Sequence, residues 1–147
     1  MSASPSFDLE RFVSAQDQGG TYQAAVAELR AGRKRSHWMW FVFPQVAGLG
    51  HSPTARRYAI SSLDEARAYL AHPILGPRLM ECSAIVAGLR GMRAEDIFGG
   101  IDAMKLRSSM TLFARADAGN PVFGQVLDTY FGGVSDEATD RLLGTGD

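Results

Sequence analysis

Residues 32–45 read GRKRSHWMWFVFPQ, and the way this stretch folds decides the class of the whole chain. Gly32 is followed by Arg33, Lys34 and Arg35. Ser36 and His37 come next, then both tryptophans of the chain, Trp38 and Trp40, with Phe41 and Phe43. A cationic run is best solvated and an aromatic block is best buried, so the two are joined at some boundary. Residues 38–43 are strand-like in composition. A lone strand, however, leaves a ladder of unpaired N–H and C=O groups, and no other segment alternates convincingly enough to pair with it. The stretch is therefore expected to be a helix–helix junction. Gly32 ends one helix in the left-handed region. Ser36 caps the next, and residues 38–43 form a short buried helix that stops before Pro44.

Outward from this junction the helical period dominates. Leu9, Phe12 and Val13 make a short apolar face, and residues 17–20 (DQGG) make a loop. Thr21 is placed to cap a helix bearing Tyr22, Ala25, Val26 and Leu29. Ser52-Pro53 opens a short helix through Tyr58 as a cap followed by proline at the first helical position. Ser62 and Glu65 fit a capping box, for a helix running to about Ala71 and stopped by His72-Pro73. Gly76-Pro77 is expected to open a helix with Leu79, Cys82, Val86 and Leu89 on one face, ending at Gly91. Residues 94–98 form one turn closed by Gly99-Gly100, and residues 102–116 a helix with Leu106, Met110 and Phe113 inward. Residues 121–131 form a helix that stops at Gly132-Gly133, and Ser135 or Asp136 starts a last one through Leu143. The predicted class is all-α: residues 1–147 as a single compact domain of seven or eight short helices, with frayed ends at 1–6 and 144–147.

The chain has 147 residues, which fits one domain. Its net charge is −1 and its pI about 6.3, which counts against a dedicated nucleic-acid binder, usually basic overall. The single cysteine, Cys82, cannot form an intrachain disulfide and belongs to an apolar helix stripe. With no signal-like N-terminus and no apolar run near the ~20 residues needed to span a bilayer, the expected location is the cytoplasm and no membrane partner is expected. His37, His51 and His72 do not fall at metal-ligand spacing, so neither a metal nor a cofactor is implied. Neither a phosphate-binding loop nor a dinucleotide fingerprint is present.

The plain reading of Arg30, Arg33, Lys34 and Arg35 is a solvated helix end, where cations complement the macrodipole. The sharper reading adds the expected helix start at Ser36. Lys34, Arg35 and free N–H groups would then form an anion site. Trp38 and Phe41 are expected in the core. Trp40 or Tyr22 would stack on a ring, and Gln45, Lys105 and Ser108 would hydrogen-bond. His37, at the border of core and water, and Lys105 are the groups placed to move a proton if the ligand reacts. Lys105, Ser108 and Ser109 share a helix face, but no oxyanion hole accompanies them, so Ser108 is read as a wall residue rather than a nucleophile. The expected ligand set is Tyr22, Lys34, Arg35, Ser36, His37, Trp40, Gln45, Lys105 and Ser108. It would hold an anionic, nucleotide-like or ADP-ribose-like small molecule between residues 34–45 and 105–111. The alternative is a non-catalytic protein-interaction module that uses the same aromatic and basic segment.

Five segments, in this order, carry a resemblance: FDLERFVSAQ (7–16), ELRAGRKRSHWMWFVFPQVAGLG (28–50), YAISSLDEARAYLAHPILGPRL (58–79), IFGGIDAMKLRSSMTLFA (97–114) and FGQVLDTYFGG (123–133). Together they resemble a bacterial family catalogued as domain of unknown function 1810. HWMWFVFPQ (37–45) is its most specific motif. Members are sometimes labelled "calpastatin", a name that belongs to a disordered repeat inhibitor and does not suit this chain. The resemblance implies a mainly α-helical single domain, like a mycobacterial prototype, and brings no activity or catalytic residues with it.

Overall fold

A computed structural model describes residues 7–144; the expected fraying of 1–6 and 145–147 lies outside the described residues. The chain runs α1 (Glu10–Asp17), a 3₁₀ turn (Gln18–Gly20), α2 (Thr21–Arg30), α3 (Met39–Val42) and α4 (Pro53–Arg57). It continues with α5 (Leu63–Ala71), α6 (Leu75–Gly88), α7 (Ala94–Ala116), α8 (Pro121–Phe131) and α9 (Glu137–Leu143). The class is all-α, as expected, and the described residues form one domain. Two of the helices, α3 and α4, are single turns.

The longest helix, α7, is the hub. It packs against α5, α8 and α9, while α6 joins α5, α8 and α2, and α1 covers α2 and α3. Leu106, Met110 and Phe113 on α7 are fully buried, as their spacing predicts. Ring contacts run through the core from Phe12 to Tyr69 (5.1 Å, edge-on), Tyr69 to Phe113 (5.4 Å, tilted) and Phe113 to Phe123 (5.8 Å, tilted). This chain ties α1, α5, α7 and α8 together. Each such ring contributes about 1.5–3 kcal/mol by burial, before any edge-to-face gain.

Local signals set most boundaries. The side chains of Ser52, Ser62, Asn120 and Asp136 accept from the N–H groups of Ala55, Glu65, Val122 and Thr139 at their helix starts. Gly99 lies at φ 79° and ψ 165° inside α7, backbone that only glycine adopts readily. It divides α7 into the short turn and the longer helix foreseen from sequence.

Several boundaries move. The cap of α2 is Gly20 rather than Thr21, whose hydroxyl donates to the Gln18 carbonyl instead. Helix α6 begins at Leu75, one residue before Gly76-Pro77, because His72 Nδ1 accepts from the Ile74 and Leu75 N–H groups (3.1 and 3.3 Å). It ends at Gly88, before Leu89 turns extended. The capping box at Ser62 is half formed. Glu65 turns its carboxylate to the Ser61 N–H and to Arg11 (3.0 Å), which ties α5 to α1. Helix α3 is shorter than the expected 38–43 and is not capped by Ser36. After it the chain goes extended for one bridge, Val46 to Ile60 in parallel, with Ile60 N–H donating to the Gln45 carbonyl at 2.8 Å. Among the described residues there is no strand, so residues 38–43 do not pair in a sheet.

Candidate functional site

The junction is organised by an acid from the previous helix. Glu28, on α2, accepts from the backbone N–H of Arg35 (2.7 Å), the N–H and hydroxyl of Ser36 (2.9 and 2.5 Å) and the indole Nε1 of Trp38 (2.9 Å). Burial works against its charged form. The Ser36 hydroxyl, the Arg35 and Ser36 N–H groups and the Trp38 indole outweigh it and hold the carboxyl at about 2. Ser36 therefore caps no helix and points at Glu28. The expected cluster of free helix N–H groups beside Lys34 and Arg35 is not formed, since α3 opens only at Met39 and has four residues.

Within the cationic run the three residues part company. Arg33 and Arg35 are exposed. Lys34 is turned inward, with a side chain 9% exposed. Its backbone N–H is fixed to the Ile97 carbonyl on α7 at 2.7 Å. Its Nζ donates to the Ser36 carbonyl (2.6 Å), pairs with Asp102 Oδ2 (2.9 Å) and lies 5.0 Å from the Trp38 ring centre. Lys105, one turn along α7, takes the other oxygen, Oδ1, at 3.1 Å, and its Nζ lies 4.1 Å over the Trp40 ring. Burial raises the Asp102 carboxyl, but the hydrogen bonds from Lys34 and Lys105 prevail and hold it below the usual carboxylate range.

Trp38 is core, 1% exposed, and packs on Phe43. Trp40 is half-buried and, with Lys105, forms a partition between two hollows. The first, about 310 Å³, is lined by Lys34, His37, Trp38, Trp40, Asp102 and Lys105. The second, about 330 Å³, has Trp40, Gln45, Leu49, Lys105, Ser108 and Asp136 on its walls. These volumes sit at the small end of the ~300–1,000 Å³ typical of ligand sites. Gly50 shapes the second hollow: a Cβ there would stand 2.6 Å from Ala55 Cβ and 3.1 Å from Trp40 Cη2, so only glycine lets the 48–52 loop close on the indole.

Six of the nine predicted residues thus gather around one partition: Lys34 and His37 on one side, Gln45 and Ser108 on the other, Trp40 and Lys105 between. Arg35, Ser36 and Tyr22 line neither hollow. Tyr22 is engaged with α6, its hydroxyl bonded to Glu81 and to the Arg78 carbonyl, with the Arg78 guanidinium 4.6 Å over its ring. Tyr22, expected to stack on a ligand ring, is instead a core residue, 8% exposed. Ser108 donates to the Met104 carbonyl (3.2 Å) and to Asp136 Oδ2 (3.1 Å), which makes it a wall group. Gln45 is 7% exposed, and its Nε2 is buried without a hydrogen-bond partner. Such an atom costs about 1–3 kcal/mol of folding stability.

Asp102, Glu28 and Asp136 are the residues that sequence reasoning missed. The spacing of Asp102 and Lys105, three apart on one helix, was legible as a surface pair. Their meeting with Lys34 was not.

Fold and site together define a class: a small all-α protein with a cationic and aromatic cleft where a loop meets its central helix. The chain belongs to the family described as "Protein of unknown function (DUF1810)", which matches residues 6–143. It is similar to the crystal structure of the conserved hypothetical protein Rv1873 from Mycobacterium tuberculosis. The two share 58% identity over 94% of this chain and 97% of that one, with a TM-score of 0.91. No curated protein matches the chain. Among the described residues, no helix is long and apolar enough to cross a membrane.

Proposed function

We propose that the protein binds an anionic small molecule, of nucleotide or ADP-ribose type, in the cleft between residues 34–45 and 105–111. The observation that carries this reading is the sharing of Asp102 by Lys34 and Lys105 beside the Trp40 ring. Two ammonium groups against one carboxylate leave the trio with a net positive charge. It lies in a partly desolvated wall, where Coulomb attraction is stronger than in water. His37, exposed at the same hollow, supplies a further donor, and it and Lys105 are the groups for any proton transfer. The single, buried Cys82 is consistent with a cytoplasmic setting.

A second reading, a protein-interaction surface, is favoured by Ile101 and Met104. They are 75% and 72% exposed at the rim of the same cleft.

Thermal unfolding with ADP-ribose, AMP, ribose 5-phosphate and citrate separates the two readings. A ligand at 100 times its Kd stabilises by about 2.7 kcal/mol. The expected result is a rise in Tm with at least one phosphate compound, lost in Lys105→Ala. No shift across the panel would overturn the small-molecule reading in favour of the interaction surface.

A further inference from the structure

The strongest unexplained group in the cleft is the side-chain amide of Gln45. Native proteins pair nearly all buried polar atoms, yet among the described residues no hydrogen bond ends on this amide. Its position is not loose, because the Gln45 carbonyl accepts from Ile60 N–H and the adjoining Val46–Ile60 bridge holds the backbone. Gln45 is one of the residues around the second hollow, about 330 Å³, together with Trp40, the aliphatic Leu49 and the acceptor Asp136. A primary amide presents a donor beside an acceptor in one plane. Its natural complement is the same pair reversed, the geometry with which Gln reads the edge of adenine.

We infer that this second hollow takes a flat ring bearing an amide-like edge, a hydrogen-bond donor next to an acceptor as in a purine base, and that Gln45 reads that edge. The inference rests on the ligand reading above and divides the labour of the site. The ring lies on the Gln45 side of the Trp40–Lys105 partition, and the anionic group lies on the Lys34–His37 side. Asp136 supports this division. Ser108 and the N–H and hydroxyl of Thr139 all bond to its Oδ2, so a fixed carboxylate stands in the ring's hollow. That carboxylate suits a ring N–H and repels a phosphate.

The test compares inosine 5′-monophosphate, phenyl phosphate, ribose 5-phosphate and free hypoxanthine by calorimetric titration against the wild type, Gln45→Met and Lys105→Ala. Methionine keeps the length and volume of the side chain and removes an unpaired buried amide, so Gln45→Met should keep or raise Tm. The expected result is that inosine 5′-monophosphate binds at least tenfold more tightly than phenyl phosphate, and that Gln45→Met abolishes the difference. Equal binding of the two phosphates, weakened alike by Lys105→Ala and untouched by Gln45→Met, would overturn the role of Gln45 and leave the anion site standing. Binding of hypoxanthine that is lost in Gln45→Met, with no gain from the phosphate, would uphold the ring pocket and remove the anion site. Binding of none of the four overturns both.

Discussion

The indole Nε1 of Trp38 donates to Glu28 Oε1 at 2.9 Å, and this bond is where the cationic loop and the aromatic core are joined. Trp38 is 1% exposed, so its N–H needs an acceptor inside the fold. Glu28 provides it, and with its remaining hydrogen-bonding capacity holds the Arg35 and Ser36 backbone.

Glu28→Ala should therefore destabilise the protein by about 2 kcal/mol, the scale of losing charge-assisted hydrogen bonds, read from urea denaturation at pH 7. The same acid predicts a pH dependence. Its carboxyl is lowered from the ordinary 4.5 to about 2 in the folded state. Its contribution is thus fully present above about 4.5 and is lost as the pH falls through about 2. The wild type should lose more stability than Glu28→Ala over this range. Parallel stability curves for the two proteins would contradict the assignment.

Lys34 and Lys105 share Asp102 but differ in burial, 9% against 21% exposed. Lys34→Ala should cost about 1–3 kcal/mol, less than the ~3–5 of breaking an isolated buried pair, because Asp102 keeps Lys105. Lys105→Ala should cost under about 1 kcal/mol. Chemical denaturation of both variants gives the comparison, and an inverted order would mean that the ammonium of Lys105 is the structural one.

Gly50→Ala should displace Trp40, since the new Cβ would stand 3.1 Å from the indole Cη2 and 2.6 Å from Ala55 Cβ. Overpacking of this kind costs about 1–3 kcal/mol. With Trp38 buried and Trp40 half-buried, the variant should change the Trp40 indole signal in a nitrogen–proton correlation spectrum and leave that of Trp38 in place. Two unchanged indole signals would show that the loop can yield without moving the ring.

Cys82 should be inert in the native protein. It is fully buried, and burial pushes its thiol up to about 12 against the smaller opposing effect of the Tyr22 hydroxyl. A disulfide reagent at pH 8 should titrate no thiol in the folded state and one in urea. Rapid native labelling would point to local opening of α6.

Much of the fold was legible because its signals are local. Ser52-Pro53, the Ser62 cap, Asn120 before Pro121 and Asp136 act on N–H groups two or three residues away, so spacing alone reveals them. The inward face of α7 followed from period alone. The misplaced boundaries have other causes. His72 caps α6 with a ring nitrogen, a less common cap than a hydroxyl or carboxylate. Ser36, a good cap by type, is taken by Glu28, eight residues back.

By itself the sequence determined the helical class, most of the helix starts and the inward face of α7. Patterning and composition suffice for those, since they depend on neighbours along one helix. Only the tertiary structure decided which tryptophan is core and which is wall, that Lys34 turns inward while Arg33 and Arg35 stay in solvent, and that Asp102 joins two lysines 71 residues apart in number. The physical reason is that charge pairing and desolvation depend on distances across helices. The hydrogen bonds of Glu28 help set those distances, and no periodicity encodes them.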